Sequence, residues 1–288
     1  MEFNRIKLEA ADFIRKCLKA SPSRQMINCF ESFYFWRYVY NISYAEMGGA
    51  AVVNLNHRGD EVFFYPFGDY DIEKVIPELK KYCEEKGISL KFIKVLNDQA
   101  NELNEHFPDR FTVEPVRNNF EYVYETETFR FYRGAGLQSK RNFVNYAHKN
   151  YEWKYERVGA ENIEECRAFS ERFVGNTGLD SDNVALQSAL DDFDRVVISG
   201  GVIRIDGEIS AMLMTSPLED GKTAAGMFLR ADHGKKGVVP LLYQQYFTDK
   251  PQFEYFNLAE DLGLEGLRKN KLSYDPCEIL ELNDVTFL

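Results

Sequence analysis

The sequence predicts an α+β protein of two lobes, each a mixed sheet flanked by helices, with residues 1–130 in the first lobe and 131–288 in the second. Two patterns lead to this expectation. Runs that alternate apolar and polar residues, the period of a half-buried strand, are interrupted by runs with an apolar residue every three or four positions, the period of a helix. Both halves of the chain follow this order, with no exact repeat, no low-complexity stretch and no flexible linker. Two lobes sharing one interface is the simplest way to bury all those apolar faces.

Each element has its own local reason. Ile6, Ala10, Phe13, Ile14, Cys17 and Leu18 give a helix period over 5–19, which Ser21-Pro22-Ser23 ends. Phe30 to Tyr44 is dense in aromatics around Trp36 and reads as core. Ala51–Leu55 and Glu61–Tyr65 flank His57-Arg58-Gly59-Asp60 as a hairpin. Asp71 caps a helix through Ile72, Val75, Ile76, Leu79 and Tyr82 that stops at Gly87. Leu90–Leu96 is a strand, 97–107 a helix, and Phe111–Val116 and Tyr122–Tyr124 are strands. In the second half Ser139 caps a helix to about Asn150, and Tyr151–Val158 is a strand. Glu161–Val174 and Asn183–Phe193 are helices. Strands follow at Val196–Ile205, Glu208–Thr215 and Thr223–Leu229, turned by Asp206-Gly207 and Asp220-Gly221. Gly237 opens a helix to about Tyr246, Glu254–Leu258 is a strand, 263–271 a helix, and Glu278–Leu282 closes the chain.

Composition excludes several classes. A hydrophobic content of 44% over 288 residues builds a real core and rules out a disordered chain. The first residues carry no apolar signal region, and no window holds about 18 uncharged apolar residues, so a cytoplasmic protein without a membrane span is expected. Cys17, Cys29, Cys83, Cys166 and Cys277 are scattered without metal spacing and read as reduced thiols. His57, His106, His148 and His233 lie apart from them, so no metal site is expected. The net charge of −11 argues against broad nucleic-acid binding.

The charge is unevenly spread. Phe129–Asn150, Gly234–Thr248 and Gly266–Tyr274 contain no acid but carry basic side chains. Either they converge on one anion, or they are three solvated faces. In the first stretch, Lys140 and Arg141 fall in the first turn of a helix, where cations oppose the helix dipole. With Asn142 they form a candidate phosphate or carboxylate contact, against the ordinary reading of a solvated basic turn. In the second, a strand runs through a loop holding Lys235 and Lys236 to Gly237 at a helix start, whose free N–H groups suit phosphate. Acyl-CoA-binding GNAT folds hold pyrophosphate on an Arg/Gln-x-x-Gly-x-Gly/Ala loop. Here Gly234 and Val239 depart from that pattern. The bland reading is a plain strand-to-helix turn.

The third stretch, Asn257–Pro276, follows a strand-like run and starts with Glu260 and Asp261. Either carboxylate could serve as a general base; Asp261 could equally cap the 263–271 helix. Arg268 and Lys271 share one face of that helix and, with Tyr274, could line a pocket.

Asn257, Glu260-Asp261-Leu262-Gly263, Gly266-Leu267-Arg268, Lys271, Ser273-Tyr274 and Pro276 resemble the signature of a bacterial family similar to the C-terminal catalytic domain of phosphatidylglycerol lysyltransferases. Lys140-Arg141-Asn142 resembles the family's basic element, and the Phe33–Tyr40 and Phe64–Gly68 segments resemble its N-terminal half. The resemblance covers nearly the whole chain. It implies two tandem GNAT-like lobes and transfer of an acyl or aminoacyl group from aminoacyl-tRNA or acyl-CoA to an amine or hydroxyl acceptor, as in the similar Fem-type enzymes. Lys140, Arg141, Asn142, Asn257, Arg268, Lys271 and Tyr274 would bind the donor, with Lys235, Lys236 and Gly237 as a lesser phosphate contact. Two departures from the family weaken the expectation of a lipid acceptor and make any tRNA contact local: no membrane-embedded N-terminal region is expected from this sequence, and the sequence is acidic overall. The rival reading is a catalytically silent protein that binds a small anionic ligand in the same cleft.

Overall fold

The structure, a computed structural model, describes residues 2–57, 59–172 and 180–288. The first half runs β1 (Asn4–Arg5), α1 (Ala11–Ala20), α2 (Phe30–Trp36), β2 (Ser43–Met47), β3 (Ala50–His57), β4 (Asp60–Phe64), α3 (Ile72–Lys86), β5 (Lys91–Leu96), α4 (Asn97–His106), β6 (Phe111–Pro115), β7 (Glu121–Glu125) and α5 (Thr126–Phe131). The second runs α6 (Gln138–Asn150), β8 (Trp153–Arg157), α7 (Ile163–Glu171), α8 (Asp180–Asp191), β9 (Ser199–Ile205), β10 (Glu208–Pro217), β11 (Thr223–Ala231), α9 (Val238–Asp249), β12 (Tyr255–Glu260), α10 (Glu265–Leu272), β13 (Glu278–Leu280) and β14 (Leu282–Phe287).

Local sequence accounts for many boundaries. The Asp71 side chain accepts a hydrogen bond from the Glu73 N–H, and α3 ends at Gly87, whose φ of 68° a side chain would resist. Asp206 and Gly207 both adopt positive φ, as the two-residue turn between β9 and β10 needs. Three expectations are corrected. Ser139 is not a cap: α6 starts at Gln138, because the Leu137 carbonyl already accepts from the Lys140 and Arg141 N–H groups. Asp261 closes a turn on the Gly263 N–H, and α10 starts two residues later than predicted. The six-residue α5 was not foreseen. Arg58 in the predicted hairpin, and the end of the predicted 161–174 helix, lie outside the described residues.

Each sheet has seven strands and the same plan. The first is ordered β1-β2-β3-β4-β5-β14-β6; the second, read from its far edge, is β8-β9-β10-β11-β12-β7-β13. In each, one central pair is parallel, β4 with β5 and β11 with β12, and the other pairings are antiparallel. The plan is completed by exchange. β14, from the end of the chain, enters the first sheet, and β7, from before residue 130, enters the second. Neither sheet closes on residues from one half alone.

Three apolar clusters fill the layers. Helices α1, α2, α7 and α8 and the facing strands of both sheets share one core, including Phe30, Phe33, Phe35, Val202, Met212 and Phe228. The outer face of the first sheet packs under α3 and α4, and that of the second under α5, α6 and α9. The aromatic run near Trp36 belongs to the shared core, where Trp36 stacks on Phe228 at 5.1 Å. The two lobes are therefore joined by buried apolar surface, the main stabilising term in folding.

Gly237, ahead of α9, has φ 86°, and a Cβ there would collide with the Phe143 carbonyl of α6. Gly237→Ala should lower the unfolding free energy by about 2 kcal/mol or more, combining a left-handed backbone with a clash against main chain. Urea unfolding of the variant and the parent checks this.

Candidate functional site

Strands β11 and β12 pair only at Thr223–Ala225 with Tyr255–Asn257. Beyond that they diverge: β11 continues beside β10 to Ala231, and β12 bends toward β7, where Glu260 opposes Glu121. A splayed parallel pair leaves backbone edges unpaired inside a sheet, which a folded chain must satisfy in another way. Here Lys271 of α10 does so on one edge. Its ammonium donates to the carbonyls of Leu258, Ala259 and Glu260, the latter two at 2.9 and 2.6 Å. Burial lowers its pKa to about 8 against the pull of Glu260, Glu121 and Asp261.

The bend in β12 is a bulge in which Ala259 takes φ 59°. The corresponding strand of the first sheet, β5, is bulged at the corresponding place, and Lys94 takes φ 55° there. Left-handed non-glycine residues are uncommon and cluster at functional sites. The two bulges meet. Lys94 Nζ lies 3.2 Å from Glu260 Oε1 and 3.7 Å from Glu121 Oε1, so an ammonium from the first sheet sits between two carboxylates of the second. Glu121 is fully buried. Its Oε2 accepts from the Met26 N–H and from Asn257 Nδ2, both at 2.8 Å, while its buried Oε1 has no hydrogen-bond partner. Burial raises the pKa of Glu121, although Lys94 opposes the shift. Burial also acts on Glu260, but the Lys94 ammonium outweighs it and the carboxyl stays below its usual range. For Lys94 burial is likewise outweighed, by Glu260 and Glu121, and its pKa is raised.

Beside this cluster Asp261 is a fully bonded hub. Arg268 reaches it with Nε and Nη2 at 2.8 and 3.0 Å, Tyr122 donates at 2.7 Å and Arg117 at 3.2 Å. These bonds, Arg268 first, hold its carboxyl well below the usual range. Lys140 is different. It is 6% exposed, lies 3.7 Å over the Tyr274 ring, and has no hydrogen-bond acceptor or carboxylate partner among the described residues. Burial alone lowers its pKa. Tyr274 follows Lys271 by three residues and donates its N–H to the Lys271 carbonyl, so Lys140, Tyr274, Lys271 and Glu260 form one chain of contacts.

The profile of the family described as phosphatidylglycerol lysyltransferase, C-terminal, matches residues 19–282. The chain belongs to this family. A conserved protein of unknown function from Bacteroides thetaiotaomicron has the same fold over 100% of both chains, with 25% identity and a TM-score of 0.95. The C-terminal domain of a putative lysylphosphatidylglycerol synthetase from Agrobacterium fabrum is similar over 96% of this chain and 91% of its own, with 13% identity and a TM-score of 0.69. FemX is similar over 100% and 98%, with 10% identity and a TM-score of 0.62. No curated protein sequence matches this chain. The tandem GNAT-like, Fem-type architecture expected from the sequence is the one found.

Within this lysyltransferase C-terminal fold, the site residues predicted from sequence fall into two groups. Asn257, Glu260, Asp261, Arg268 and Lys271 lie at the end of β12 and under α10, and Tyr274 joins them to Lys140. Arg141 instead binds the Tyr132 and Gly134 carbonyls and Gln138, and Asn142 accepts from Gln138. Lys235 pairs with Asp206 at 3.7 Å, Lys236 lies over Tyr146 at 4.7 Å, and Gly237 packs on Phe143. Sequence reading missed Lys94 and Glu121, which sit in unremarkable strands; the Lys94 position shows only as a polar residue in an apolar run. Two surface depressions of about 550 and 540 Å³ lie elsewhere, one between α2 and α8 near Arg37 and Asn183, the other beside Gly159 and Arg204. Among the described residues no three metal-ligating side chains converge, and no helix is long and apolar enough to cross a membrane.

The Asp261 hub has a defined pH signature. A carboxyl whose folded pKa lies below its unfolded value contributes fully above about pH 4, and the contribution fades as pH falls toward the folded pKa. Asp261→Asn should cost about 2 kcal/mol or more at pH 7 by leaving Arg268 and Arg117 without their carboxylate. The difference from the parent should shrink at pH 3, as read by urea unfolding at both pH values.

Proposed function

We propose that this protein transfers an aminoacyl group from aminoacyl-tRNA to an amine or hydroxyl acceptor, with the open end of the β11–β12 wedge as the reaction site. The observation that carries the reading is the meeting of the two strand bulges, which presents the Glu260 carboxylate, ionised and partly exposed, at the mouth of that wedge. Membership of the lysyltransferase C-terminal family supports the class of reaction. The acceptor's nitrogen or oxygen attacks the ester carbonyl of the donor. Glu260 takes the proton released from the acceptor and returns it to the departing ribose oxygen, so the step balances without a co-reactant. Asp261 holds Arg268 and Tyr122 in place beside the wedge, and Lys271 holds the strand end that carries Glu260. Lys140, buried beside Tyr274 and without an acceptor among the described residues, is a cation available to an anionic donor group. A cytoplasmic setting is part of this reading.

The start of α9 supports aminoacyl-tRNA over acyl-CoA as the donor. A pyrophosphate cradle needs several free N–H groups at a helix start. Here the Val238 N–H donates to the Lys235 carbonyl, Pro240 has no N–H, and the Phe143 carbonyl of α6 stands against Gly237. The lysines of the loop are turned to Asp206 and to aromatic rings. Donor charge is then neutralised near Lys140, on the same helix that closes the α9 start.

Charged tRNA, acyl-CoA and a panel of amine and hydroxyl acceptors, including vesicles of phosphatidylglycerol, test the proposal. Labelled product should form from aminoacyl-tRNA and not from acyl-CoA. Glu260→Gln should lower the transfer rate by about 10²–10⁴-fold. Lys140→Ala should weaken donor binding and reduce its salt dependence. Tight CoA binding with no response to tRNA would reverse the donor assignment. Full transfer by Glu260→Gln would remove the proposed base.

A further inference from the structure

The Lys94–Glu121–Glu260 contact is unbalanced in a way that points to a ligand. Two carboxylates share one ammonium from Lys94. Lys271 does not make up the difference, since its three N–H groups are taken by backbone carbonyls. Glu121 is saturated on one side only. Its Oε2 is closed off by the Met26 N–H and Asn257, while its Oε1, buried and aimed at Lys94, lacks a hydrogen bond because 3.7 Å is too long for one. A buried carboxylate oxygen left without a donor is costly. The opposite wall is Glu260, whose side chain is 20% exposed. A free primary ammonium has three donors in a compact head, enough to bridge Glu260 and the bare oxygen of Glu121, which Lys94 does not bridge within hydrogen-bond distance. Lys94 itself reaches the site on a flexible four-carbon stem from a left-handed backbone position.

We propose that Glu121 and Glu260 form a receptor for a primary ammonium group, that Lys94 fills it in the unliganded chain, and that the ammonium of a substrate displaces Lys94. Resting on the transfer reading above, the substrate group is the α-ammonium of the aminoacyl donor, which lies one carbon from the reacting carbonyl and so beside Glu260. Displacement of Lys94 would signal that the donor is in place before the acceptor is deprotonated.

Chemical rescue tests the receptor without any transfer assay. Lys94→Ala is melted with methylammonium or ethylammonium chloride, and with tetramethylammonium and sodium chloride at the same ionic strength. The primary ammonium ions should raise its melting temperature saturably by a few degrees, whereas tetramethylammonium, which has no N–H, should match sodium. The parent chain should show no such difference, and adding Glu121→Gln to Lys94→Ala should abolish it. If Lys94→Ala does not fold alone, a folded fraction that grows with ethylammonium is the same expected result. Equal response to ethylammonium and tetramethylammonium, or failure of any amine to restore folding, overturns the receptor. A chain that binds ethylammonium in this way yet transfers no aminoacyl group keeps the receptor and loses the transferase reading; one that transfers without binding amines does the reverse.

Discussion

An ammonium and two carboxylates largely removed from water are stable only where their geometry offsets the loss of hydration. Lys94, Glu121 and Glu260 meet that condition across a boundary, the cation hanging from one sheet and the anions from the other. The position of Glu260 at the open end of the β11–β12 wedge depends on this contact in the unliganded chain. Lys271 secures the same strand end from the other side through three carbonyls. Between them, the two lysines hold a distorted strand in the conformation that exposes one carboxylate.

The exchange of strands explains why such a contact can exist. β7 and β14 each lie in the sheet built mostly from the other half of the chain, so neither sheet is complete until both halves are present. Glu121 is carried into the second sheet by β7, and Asn283 occupies the matching place in the first, donating to the Val95 carbonyl. One position in a repeated plan is thus a neutral amide on one side and a buried acid on the other. The asymmetry puts both acids at one of two otherwise equivalent bulges and the ammonium at the other.

Much of the fold could be read from local signals. Helix α3 is bounded by Asp71 and Gly87, and the turn at Asp206-Gly207 states its own geometry. The strands of the second half alternate clearly enough to be placed within a few residues. Reading failed where the cause is distant in sequence. Helix α5 is six residues held by packing of Phe129 among Tyr124, Tyr243 and Phe247. In the site, the residues from Asn257 to Tyr274 are close in sequence and drew notice as a group. Their partners did not: Lys94 and Glu121 acquire meaning only from the pairing of β14 with β5 and of β12 with β7, which no local pattern records. Similarly, the loop at Lys235-Lys236-Gly237 has the composition of an anion site. Its glycine is required by the approach of the Phe143 backbone, a contact 94 residues away in the chain.

The energetic coupling of Lys94 to Glu260 across the lobes holds the site together. A double-mutant cycle on unfolding free energy, with Lys94→Met, Glu260→Gln and the pair, measures that coupling directly. Direct contact in a buried setting predicts a coupling of about 1–3 kcal/mol, the double variant being less destabilised than the sum of the single ones. Additive costs within about 0.3 kcal/mol would mean that the two side chains act independently, and the site built on their meeting would fall.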